Sequence, residues 1–167
     1  MTLVIKITLA LALILGGMFK SATAEPAEPK IVASIFPLYS LAAGVMDGVG
    51  EPTLLLQDGL SPHDFALKPS QARLLQSADL LLWVGKNLEF PLTRYSENMP
   101  PGHALALGNA AQPGQNPHIW LDPQQAKDIV SAIVAKLRAV DPDRAATYEN
   151  NGSILEARID GLELELA

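Results

Sequence analysis

The sequence predicts an α/β fold, a parallel β-sheet covered by helices on both faces. Three observations lead there. Short apolar runs at residues 31–36, 53–56, 80–84 and 103–107 alternate with stretches whose apolar residues recur at helical spacing. The runs lack the apolar–polar alternation of a half-exposed strand, so both of their faces are expected inside. Glycine or proline punctuates the connections, at Pro37, Gly48, Gly50, Gly85 and the Pro100-Pro101-Gly102 turn.

Residues 1–24 stand apart from that fold. Lys6 precedes a nearly unbroken apolar run at 7–19, and the small triplet Ala22-Thr23-Ala24 follows. This order reads as a secretory signal peptide cleaved between Ala24 and Glu25. A membrane anchor is the alternative, but the run is shorter than the roughly 18 apolar residues a span needs. Cleavage leaves 143 of the 167 residues, enough for one domain with its own core. It removes Lys6 and Lys20 and no acid, taking the net charge from −6 to −8. An acidic exported chain of this kind is a poor partner for nucleic acid, which is bound by basic faces. With no cysteine there is no disulfide, and any metal must be held by imidazole and carboxylate.

Residues 25–30, with two prolines and three charges, read as a flexible leader. The run at 31–36 is the first strand, stopped by Pro37. Leu38, Leu41, Ala42 and Val45 make one face of a helix that ends at Gly48-Val49-Gly50. The second strand, 53–56, feeds a loop containing Ser61-Pro62-His63-Asp64-Phe65. A helix capped by Ser70 carries Leu74, Leu75 and Ala78, and strands at 80–84 and 103–107 follow. Asp122-Pro123 is a strong helix start, and Ile129, Val130, Ile133, Val134, Leu137 and Val140 form its stripe. Asp141-Pro142 repeats the same signal before a last helix holding Tyr148, Leu155, Ile159 and Leu162, with a weak patch at Asn150-Asn151-Gly152.

In parallel sheets the loops after the strand C-terminal ends share one rim, where ligands bind. His63 follows the second strand and His118, in Asn116-Pro117-His118-Ile119-Trp120, follows the fourth. Either histidine alone is a weak signal, since loop histidines commonly serve as surface or hydrogen-bonding groups. Two on one rim, each beside a proline, point to a shared transition metal. His103 opens a strand and reads as structural. Asp64 reads as a bond acceptor for loop amides or for an imidazole N–H. Trp120 is expected under the His118 loop, and Glu89 and Glu97 in solvent. No H-E-x-x-H helix, G-x-S-x-G elbow or Gly-rich phosphate loop is present, so the chain does not read as an enzyme.

The run GLSPHDFALKPSQARLLQSADLLLWVG (59–85), followed by NPHIWLDP (116–123), resembles the periplasmic metal-binding proteins of zinc and manganese ABC transporters, and most of all their zinc-uptake, ZnuA-type branch. The resemblance runs from Lys30 to the last residue. It implies that His63 and His118 are the metal ligands of an N-terminal lobe. It implies further that zinc is the transported ion, with manganese the alternative, and that a membrane permease is the partner. Asn116 stands where many members carry Asp, and Pro62 where some carry an acidic extra ligand. The histidine-rich loop common in zinc members is here the short segment 108–115. Family proteins have two lobes joined by a long helix, the second lobe supplying the remaining ligands. By this likeness residues 31–141 are the first lobe and 142–167 the start of the connecting helix. The chain then resembles an N-terminal half that binds metal weakly alone, or one that works with a separate C-terminal half.

Overall fold

The computed structural model describes residues 27–57, 60–108 and 116–166. The expected signal peptide and its Ala24/Glu25 cleavage point lie outside the described residues. Four strands, β1 (Ile31–Ala33), β2 (Thr53–Leu54), β3 (Leu80–Trp83) and β4 (Ala104–Ala106), form one sheet in the order β2-β1-β3-β4. Every pairing is parallel, with Val32 opposite Thr53 and Leu81, and Leu82 opposite Leu105. All residues of β1 and β3 are buried. Since successive side chains point to opposite faces, both faces of the sheet centre are covered, as predicted.

Among the described residues five α-helices accompany the sheet: α1 (Phe36–Val45), α2 (Pro69–Gln76), α3 (Thr93–Asn98), α4 (Pro123–Val140) and α5 (Ala145–Leu166). α1, α4 and α5 pack against one another, and α1 against β1. Their shared interior includes Leu38, Ala42, Val45, Ile129, Val130, Ile133, Leu137 and Tyr148. The stripe read for α4 is therefore its buried face, apart from its margins. Asp122 caps the helix as expected, its Oδ1 accepting the Gln125 amide at 2.9 Å.

Several local expectations are corrected. The first strand stops at Ala33, because Pro37 lies in the first turn of α1, a place that suits a fixed φ and a missing N–H. Ser70 is not a cap: α2 starts after Lys68, whose amide donates to Gln71 Oε1 at 2.8 Å. The Asp141 carboxylate caps no amide. Its Oδ2 accepts the Tyr148 hydroxyl at 2.7 Å and Arg144 Nη1 at 2.9 Å, fastening the α4–α5 turn (a 3-10 helix, Pro142–Arg144). Burial first, and the Asp141 carboxylate second, push the Tyr148 phenol well above its ordinary value. Leu162 does not reach the core; it is 58% exposed. The Asn150-Asn151-Gly152 patch is a contact rather than a weakness. Asn151 Nδ2 donates to the carbonyls of Val45 and Asp47 at the end of α1, at 3.0 and 2.9 Å. A Cβ on Gly152 would lie 2.5 Å from Val134 Cγ2, so only glycine permits this approach of α5 to α4.

Ladder bonding begins at Lys30, at the end of the expected leader. Its carbonyl accepts the Asp79 amide at 2.9 Å, and its own amide donates to Asp79 Oδ2 at 2.8 Å. Among the described residues no helix is long and apolar enough to cross a membrane.

Candidate metal centre

The two outer strands, β2 and β4, run parallel and end on the same rim of the sheet. Beyond β2 the ladder persists, with the Leu55 and Leu56 amides bonding the carbonyls of Ala33 and Ser34 at 2.9 Å. The chain then turns through Ser61-Pro62-His63-Asp64, closed by an antiparallel bridge between Ser61 and Asp64. The His63 amide donates to Ser61 Oγ at 3.3 Å, and buried Phe65 anchors the loop. Ser61 thus does for the His63 amide what was expected of Asp64, which is exposed. Beyond β4, the Gly108 amide donates to the Val84 carbonyl at 2.7 Å. A Cβ at Gly108 would meet that oxygen at 2.5 Å, so the close approach requires glycine.

His118 precedes a 3-10 turn, Ile119–Leu121, that leads into the capped start of α4. Buried Ile119 pins this turn, and the His118 carbonyl accepts the Leu121 amide at 3.2 Å. Trp120 packs edge-on against the His118 ring, with centroids 5.3 Å apart. Asn116 Oδ1 accepts both the His118 amide at 3.1 Å and ring Nδ1 at 2.7 Å. The backbone bond identifies that atom as the oxygen, an acceptor only, so Nδ1 carries the proton. The lone pair of His118 is therefore on Nε2, free for a metal.

The His63 and His118 rings face each other with centroids 5.7 Å apart and planes inclined at 50°. Two imidazoles on one tetrahedral zinc, with Zn–N bonds of about 2.0–2.1 Å, have their centroids about 5 Å apart. His103 lies at the opposite end of the strands, its carbonyl accepting the Leu81 amide at 2.8 Å. Among the described residues no group of three or more His, Cys, Asp or Glu side chains could hold a metal. The described rim thus brings two imidazoles together without a third such side chain beside them.

Sequence reasoning missed two residues at this rim. Asn116 orients His118, a role that its position two residues before a histidine could have signalled as an Asx turn. Glu89, expected in solvent, is fully buried. Its Oε2 accepts the Val84 amide at 2.6 Å and the Gly85 amide at 3.4 Å. Burial raises its pKa, against the pull of Ser34 and of those amides. Glu97 is exposed as expected.

Residues 31–167 match the family model described as zinc-uptake complex component A, periplasmic. The chain belongs to that family. The high-affinity zinc uptake system protein ZnuA of Yersinia pestis is 33% identical over 95% of this chain and 58% of its own length. Its Paracoccus denitrificans counterpart is 32% identical over 95% of this chain and 62% of its own. The metal-dependent lipoprotein YcdH of Bacillus subtilis superposes with a TM-score of 0.73 at 25% identity, covering 80% of this chain and 53% of that one. The Zn(II)-bound ZnuA-like domain of Streptococcus pneumoniae AdcA gives 0.74 at 23%, covering 81% and 53%. The chain therefore spans about three fifths of these curated relatives and about half of the solved chains. The parallel α/β lobe is the fold the family likeness implied.

Proposed function

We propose that the chain is the metal-capturing N-terminal lobe of a periplasmic solute-binding protein that passes zinc to an ABC permease. One observation carries this reading: His63 and His118, delivered by the two outer strands, face each other across the rim at 5.7 Å. The bond from His118 Nδ1 to Asn116 adds to it, since it leaves Nε2 as the nitrogen open to a metal. Zinc suits a pair of neutral imidazoles, and manganese, which prefers oxygen, is the alternative should the missing ligands be carboxylates. Transport of the relatives' kind needs no bond-making by the protein.

The remaining ligands come, on this reading, from a second lobe corresponding to the rest of the relatives' length. An apolar shelf that Trp120 joins to His118 suits such a neighbour. Phe36 and Leu121 are 61% and 73% exposed, and with Trp120, Pro123 and Leu162 they line a groove of about 430 Å³. Two imidazoles hold zinc far less tightly than the four ligands of a structural site. Zinc calorimetry on the exported chain should therefore find weak one-to-one binding that His63→Ala and His118→Ala each abolish and His103→Ala leaves alone. Zinc binding indifferent to both rim substitutions would refute the assignment.

A further inference from the structure

The carboxyl of Glu89 sits at the point where the sheet changes direction, a place the two-histidine reading does not use. β1 and β3 are neighbours whose connections leave toward opposite edges, to β2 and to β4. Ser34 follows β1 and Val84 follows β3, and both are buried. The Ser34 carbonyl accepts the Leu56 amide, on the way to His63, and the Val84 carbonyl accepts the Gly108 amide, on the way to His118. Glu89 Oε2 holds the Val84 and Gly85 amides, while Oε1 and the Ser34 hydroxyl, both wholly buried, are left without a hydrogen bond of normal geometry. Facing the carboxyl are the Ser34 hydroxyl from the end of β1 and the two amides after β3, and no charged group shifts it. A carboxylate there is a buried charge without a counter-ion, which costs far more than a neutral acid.

We infer that Glu89 is a positioning residue that works as a neutral acid: Oε2 receives the β3 amides, and Oε1–H turns to the Ser34 hydroxyl, joining the strand ends from which both histidine connections depart. The inference deepens the metal reading and rests on it for its functional arm. Burial raises the carboxyl's pKa in the folded chain, so the fold holds this proton more tightly than the unfolded chain does. Its stabilisation is full below the ordinary glutamate value near about 4.3 and is lost as pH rises through the folded value. Charging the carboxyl loosens the base of the rim.

The test compares wild type with Glu89→Gln, which mimics the neutral acid, by urea unfolding of the metal-free protein between about pH 4 and about pH 8. The two should match at the acid end. Glu89→Gln should become the more stable as pH rises, by up to about tenfold in the unfolding constant per pH unit within the titration window. At about pH 6, where ordinary carboxyls are ionised, the wild type should show the infrared carbonyl stretch of a protonated acid. Glu89→Gln should lack it, and Ser34→Ala should shift it. If Glu89→Gln does not fold, this band decides the matter in wild type and Ser34→Ala. An absent band, or a Glu89→Gln protein about tenfold less stable at about pH 8, overturns the neutral acid. In zinc titrations at the same alkaline pH, Glu89→Gln should bind at least as tightly as wild type, and about tenfold weaker binding overturns the positioning role. Absence of zinc binding in both proteins overturns the two-histidine reading instead, and unfolding and infrared then judge the acid alone.

Discussion

Asn116 fixes which nitrogen of His118 is free. Without its Oδ1 the ring loses the bond that keeps the proton on Nδ1 and fixes its orientation, and the His118 backbone amide loses its acceptor. Asn116→Ala is expected to weaken zinc binding by about 10–100-fold, the usual cost of removing a partner behind a ligand. Its effect on stability should stay within about 0.5 kcal/mol, since the residue is exposed. Unchanged affinity by calorimetry would show that the tautomer needs no such support. Tyr148→Phe removes a buried donor from Asp141 and should cost about 1–3 kcal/mol in urea unfolding, with no effect on zinc. At this scale the sequence was legible where chemistry and chain geometry coincide. His63 and His118 stood out as imidazoles beside prolines after strands. Glu89 did not, because a glutamate in a connecting segment looks solvated until the chain folds back and brings the Val84 amide onto it.

Helix α5 is held to its neighbours by two adjacent residues that composition marks as poor helix formers. Asn151 spans to the open carbonyls at the end of α1, and Gly152 lets α5 lie against Val134 of α4. Asn151→Ala should destabilise the lobe by about 1–2 kcal/mol, read as a fall in melting temperature of about 2–6 °C, despite alanine's better helix propensity. A rise in melting temperature would mean that these bonds contribute less than the propensity gain. Propensity alone had marked this stretch as a weak patch; contact with α1 and α4 reverses that reading. Strand ends were blurred for a related reason. An apolar run does not say where a ladder stops, and the run at 31–36 hides the passage from β1 into α1. The start of α4 needed no such correction, because Asp122 and Pro123 act within their own turn.

Over the whole molecule, parallel strand order is what brings the histidines together across 55 positions of sequence. β2 and β4 lie at opposite edges, yet their C-terminal ends point the same way, so both loops arrive on one rim. That much followed from apolar runs that require cover on both faces. The strand order did not, nor did the anchoring of the two histidine segments, where Gly108 closes on Val84 and Phe65 and Ile119 enter the core. The most direct test of a shared metal is nitrogen-detected magnetic resonance of the three imidazoles during zinc titration. On this account the Nε2 signal of His118 and one ring nitrogen of His63 shift together, saturating at one zinc per chain, while His103 stays fixed. Zinc that moves only one of the two rim histidines, or His103 along with them, would contradict it.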